Sequence, residues 1–80
     1  MDYDEGSLPV HLKHGDVLTL GDGTTVSFDT NAEAKDVYLG GDFSPAAQLY
    51  PGMEHELAAS GGTFRLTATY GDDLLVEKAG

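Results

Sequence analysis

The segment from Gly15 to Asp29, GDVLTLGDGTTVSFD, constrains the fold more than any other part of the chain. Two runs rich in β-formers, Val17 to Leu20 and Thr25 to Asp29, flank Gly21-Asp22-Gly23, and an Asp-Gly pair between such runs signals a hairpin. The length of the loop decides which side chains share a face. A two-residue loop pairs Leu20 with Thr25 and scatters the apolar residues over both sides. A three-residue loop, Gly21 to Gly23, pairs Leu20 with Thr24 and Leu18 with Val26. That register gathers Leu18, Leu20, Val26 and Phe28 on one face and puts Gly23 at the left-handed position of a G1 bulge, a conformation glycine adopts at no Cβ cost. It is the register we expect, because a slip by one residue sends half of this apolar set into water.

The rest of the chain reads in the same way. Leu8, Val10 and Leu12 alternate with Pro9, His11 and Lys13, so Ser7 to Lys13 is a strand. Pro9 has no N–H to donate, which places that strand at a sheet edge. Asp29 to Asp36 is a polar connection with room for one helical turn over Ala32 to Lys35, capped by Asn31. Val37-Tyr38-Leu39 is a short strand that stops at Gly40-Gly41. Met53 to Leu57 is another, followed by a flexible Ala58 to Gly62. From Thr63 to Tyr70 the alternation is clean, with Phe64, Leu66, Ala68 and Tyr70 inward and Thr63, Arg65, Thr67 and Thr69 outward. Gly71-Asp72-Asp73 then turns the chain onto Leu74 to Lys78. About six short strands at this spacing predict an all-β fold, a small antiparallel β-sandwich or barrel of immunoglobulin-like or jelly-roll-like type.

Eighty residues make one domain. We expect residues 7 to 80 to form it and Met1 to Gly6 to be an acidic arm, disordered unless a neighbouring chain or its own domain holds it. Fourteen acidic side chains against four basic ones give a net charge of −10, which nucleic acid and anionic lipid repel. No apolar run approaches the roughly 18 residues of a membrane span, and MDYDEG has neither the basic nor the apolar part of a signal peptide, so the chain reads as soluble and untargeted. The acids are dispersed along the sequence and lysine is scarce, a composition like that of proteins from high-salt organisms.

Nothing in the motifs points to chemistry. There is no cysteine and no Gly-x-Ser-x-Gly elbow. Glu54 and Glu56 fall on one solvent face of a strand, where nothing raises a carboxyl toward a general acid. His11 and His14 point to opposite faces of an extended chain, and the acids at Asp22 and Asp72-Asp73 belong to turns without EF-hand spacing. We expect no enzyme, no cofactor and no metal.

The readable features are instead those of contact. Asp42 to Gly52, DFSPAAQLYPG, is the longest irregular stretch, and Pro51-Gly52 suits the centre of a type II turn. Its Phe43, Leu49 and Tyr50 either plug the end of the core or meet a partner. Together with Asp2, Tyr3 and Asp4 of the arm and Leu8 and Pro9 of the edge strand, they make the candidate partner-binding set.

The words Val26-Ser27-Phe28, Ala34 with Val37-Tyr38-Leu39, Gly41-Asp42-Phe43-Ser44 and Gly62-Thr63-Phe64 with Leu66 resemble the glycogen-binding modules of branching enzymes and of AMP-activated kinase beta subunits. That resemblance implies an immunoglobulin-like sandwich and a sugar ligand. Those modules stack sugars on tryptophan, which is absent here, leaving Tyr38, Tyr50 or Tyr70 as substitutes. Three function classes follow: a non-catalytic subunit, homo-oligomeric or bound to an assembly surface such as a viral capsid in a salt-adapted host; a glycan-binding module; and an acidic inhibitor that mimics DNA.

Overall fold

The computed structural model describes residues 1–80 and consists of strands joined by turns. The strands are β1 (Asp2–Asp4), β2 (Val10–Leu12), β3 (Val17–Thr19), β4 (Thr25–Asn31), β5 (Ala34–Leu39), β6 (Ala47–Leu49), β7 (Glu54–Ala59), β8 (Gly62–Ala68) and β9 (Leu74–Lys78), with a single 3-10 turn at Glu5–Ser7. They form a five-stranded sheet in the order β1-β3-β4-β5-β6 and a four-stranded sheet in the order β2-β9-β8-β7. Two separate ladders stacked on one core make a β-sandwich. Hairpins connect β3 through β6 and β7 through β9; β2 lies antiparallel to β9, and β1 lies parallel to β3.

The hairpin adopts the three-residue register. Leu18 faces Val26, the Leu20 N–H donates to the Thr24 carbonyl at 2.8 Å, and Gly23 has φ of 90°. Leu18, Leu20, Val26 and Phe28 are all buried, packed against Phe64, Leu66, Leu74 and Val76 of the other sheet. The expected strand Ser7 to Lys13 is shorter: Ser7 lies in the 3-10 turn and β2 covers Val10–Leu12 alone, at a sheet edge that Pro9 precedes without belonging to it.

Four further expectations are corrected. Asp29 to Asp36 holds no helical turn: β4 and β5 continue until Asn31 faces Ala34, and Ala32-Glu33 alone make the turn. Ala32 takes φ of 58° there, a conformation that its Cβ disfavours, so the residue type gave no turn signal. Ala58 to Gly62 is likewise a tight hairpin, with Ser60 and Gly61 at φ of 52° and 73°, the two left-handed positions of a type I′ turn. Of the two expected ways to hold Met1 to Gly6, the structure has its own domain: Asp2–Asp4 adds a strand to the domain's own sheet. The stretch read as irregular contains β6, which pairs with β5. Finally, Tyr70 does not continue the inward alternation of β8; the strand ends at Ala68 and Tyr70 is 87% exposed.

Polar ties join the two sheets at both ends. At one end Asp22 accepts N–H bonds from Thr24 within its own turn and from Ser60 in the β7–β8 turn, each at 2.9 Å. At the other, the Lys35 ammonium is buried and donates to the carbonyls of Thr69 at 3.0 Å and Gly71 at 2.9 Å. The Pro51-Gly52 turn closes with Met53 N–H on the Tyr50 carbonyl at 2.9 Å, with Gly52 at φ of 90° as a type II turn needs.

Candidate interaction surface

The four sheet edges are β1, β6, β2 and β7. Each presents backbone N–H and C=O groups with no strand beyond them, and charged side chains are the usual guard against unwanted pairing. β1 carries Asp2 and Asp4, β7 carries Glu54 and Glu56, and β2 carries His11 with Lys13 just beyond it. β6 carries no ionisable side chain. It lies inside Phe43 to Met53, eleven residues without a charge and the longest such run in the chain.

The chain directs these side chains differently. Leu49 points into the core at 3% exposure, so its side chain packs the domain and is not an exposed anchor. Phe43, on the loop between β5 and β6, is fully exposed, while Tyr50 and Met53 are about half exposed beyond the other end of β6. Phe43 therefore plugs nothing. Phe43 precedes and Tyr50 directly follows the three-residue β6, so they lie toward opposite ends of one flank.

The arm residues lie elsewhere. β1 is the far edge of the same sheet, so Asp2, Tyr3, Asp4, Leu8 and Pro9 form no common surface with Phe43 and Tyr50. Tyr3 and Leu8 are partly buried against the core, leaving Asp2, Asp4 and Pro9 exposed. The arm is also anchored by its own acids and ends. The Met1 amino group donates to Asp16 at 2.9 Å, and the Glu5 carboxylate accepts the Gly21 N–H at 2.9 Å.

Most remaining carboxylates are engaged within the domain. Lys13 pairs with Asp72 at 2.9 Å, His14 with Asp29 at 2.8 Å, His11 with Asp73, and Arg65 with Glu77 at 3.3 Å. Several are held below the ordinary carboxylate range by these bonds. For Glu5 the Gly21 N–H is the main cause, and for Asp16 the Lys13 N–H followed by the Met1 amino group. For Asp22 the causes are the Thr24 and Ser60 N–H groups, for Asp72 the Lys13 ammonium, and for Asp73 the Thr69 hydroxyl ahead of His11. These are carboxylates kept ionised to hold turns in place. The two histidines face different carboxylates and do not converge.

A shallow cleft of about 510 Å³ lies at the Lys35 end, bordered by Glu33, Lys35, Pro51, Tyr70 and Asp72. Tyr70 stands at its rim with its hydroxyl over Gly52, where an added Cβ would meet it at 2.8 Å.

Gln48 and Met53 are surface residues that the sequence does not single out: Gln48 falls in the stretch that reads as irregular, and Met53 reads as the start of a strand that in fact begins at Glu54. The available signal was the absence of charge over eleven residues of a chain carrying −10. Comparison with protein-family models, with curated proteins and with solved structures returns no match.

Proposed function

We propose that this chain is a non-catalytic structural subunit that coats or cements a larger assembly through the flank built on β6. The observation that carries this reading is Phe43, fully exposed within a charge-free stretch beside an unpaired strand edge. A molecule of net charge −10 approaches a second acidic surface at least cost where it carries no charge. A phenylalanine held in water gains roughly 1.5–3 kcal/mol on full burial, which makes it the natural anchor of a contact. The dispersed carboxylates suit the rest of an exterior that stays hydrated in high salt, as on a capsid decorated in a salt-adapted host.

The test is gradient sedimentation of extracts from the producing cells. The chain is expected to travel with a large particle, and Phe43→Ser, which touches no core residue, is expected to return it to the top of the gradient. A wild-type chain that stays at the top, or a variant that sediments unchanged, would refute the proposal.

A second reading has its own observation. Tyr70, expected inside, stands exposed at the rim of a cleft with Glu33, Lys35 and Asp72, an arrangement in which an aromatic face can stack a sugar ring and polar groups can bind its hydroxyls. Titration with maltooligosaccharides that leaves the tyrosine resonances unmoved would remove it. The decoy reading draws no comparable support, since so many carboxylates are tied to partners inside the domain.

A further inference from the structure

The charge-free stretch is self-complementary about its centre. Counting outward from Gln48, Ala47 matches Leu49, Ala46 matches Tyr50, Pro45 matches Pro51, and Phe43 matches Met53. We infer that β6 pairs antiparallel with β6 of a second copy about a two-fold axis at Gln48, joining two five-stranded sheets into one continuous sheet. This rests on the reading of the β6 flank as the contact surface and names the partner that it takes first.

Four physical features specify this register. Residues that face each other across an antiparallel pair must lie on the same side of the sheet, and a register centred on a residue satisfies that rule. Ala47 and Leu49, which pack against the core, then face Leu49 and Ala47 of the other copy, so the apolar layer runs on across the junction. Gln48 is exposed on the outer face and meets its own copy. Its amide carries both donors and an acceptor, so it bonds to an identical group, as a carboxylate cannot. Pro45 and Pro51 have no N–H, and in this register they face each other, which limits the ladder to Ala46 through Tyr50 at both ends alike.

β6 is also the one edge strand without an ionisable side chain. Two copies that each carry −10 meet there with no like charges opposed, whereas β1 against β1 or β7 against β7 brings carboxylates together. The contact is isologous: each copy uses its only β6 edge, and assembly stops at the dimer. Beyond the prolines, Phe43 of each copy is carried to the end where Tyr50 and Met53 of the other are exposed.

The test is sedimentation equilibrium of the full chain in molar potassium chloride, from micromolar to millimolar protein, with hydrogen exchange followed at Ala46 to Tyr50. A monomer–dimer equilibrium is expected, with the outward-facing amides of β6 gaining protection as dimer forms. Gln48→Glu places two carboxylates face to face at the axis and is expected to weaken association by at least about tenfold. Ala58→Glu adds the same charge on exposed β7 and is expected to change it by less than about twofold in that salt. Circular dichroism checks that both variants keep the wild-type β spectrum, as expected for substitutions at exposed positions. A chain that stays monomeric at millimolar concentration, or equal weakening by the two variants, overturns the inference. A monomeric chain that Gln48→Glu still strips from the large particle defeats the second copy as partner and leaves the coating role standing. A Gln48-dependent dimer that never sediments with a particle does the reverse.

Discussion

Leu66 and Tyr70 occupy equivalent positions in the alternation of one segment, yet the structure assigns them opposite surroundings. Leu66 is fully buried in β8, between His55 of β7 and Val76 of β9, whereas Tyr70 lies beyond the strand and is 87% exposed. Leu66→Ala removes three buried carbons from a site with sheet neighbours on both sides, where the backbone has little freedom to close the gap. The expected cost is about 3–5 kcal/mol. An eighty-residue domain has a total stability of roughly 4–12 kcal/mol, so the variant loses a large part of it, and its melting temperature falls by about 12 °C or more. Tyr70→Ala removes a larger side chain but one that water already surrounds, and its cost should stay within about 0.5 kcal/mol. Urea denaturation in molar salt, followed by circular dichroism, measures both: the midpoint drops for Leu66→Ala with an unchanged slope and stays in place for Tyr70→Ala. Comparable losses for the two variants would mean that Tyr70 is a core residue and that the strand does not end at Ala68.

Three further outcomes follow from the same geometry. Gly23→Ala and Gly62→Ala both add a methyl into open space, but only Gly23 has positive φ, at 90°. Thermal melts should therefore show the first destabilised by about 1 kcal/mol and the second neutral or slightly stabilised; the same sign for both would contradict the bulge. Asp22, Asp72 and Asp73 are held below the ordinary aspartate value of 3.8, Asp22 by N–H groups and the other two chiefly by Lys13 and Thr69 respectively. A depressed folded-state pKa contributes stability that is complete above the unfolded value and disappears as pH falls through the folded one. The loss should thus set in at about pH 5 and deepen as pH falls further, and Asp22→Asn should flatten that acid limb in a pH series of urea midpoints. Last, screening of fourteen acids should raise the melting temperature between low and molar salt; a melting temperature indifferent to salt would remove the case for salt adaptation.

Much of the sandwich was legible because β4, β8 and β9 each bury one face, and burial of one face imposes a period of two. Leu18 with Val26, Phe64 with Leu66, and the glycine at position 23 each state their own conformation through local sterics and hydrophobicity. The all-β class, the hairpin register, the edge position next to Pro9 and the turn at Pro51-Gly52 followed from these residues alone.

What only the tertiary structure decided depends on partners distant in sequence. Ala32 and Ser60 occupy left-handed turn positions that their residue types disfavour, because the strand pairs on either side dictate the turn. Lys35 is buried because the carbonyls of Thr69 and Gly71 in the β8–β9 turn reach its ammonium from the other sheet. The acidic arm is ordered because Asp2–Asp4 finds β3. β6 exists because β5 offers it an edge, and the flank it creates, with Phe43 in water and Leu49 in the core, is invisible to periodicity in three residues. A strand buried on one side carries its own pattern, whereas an edge strand borrows its conformation from the neighbour to which it bonds.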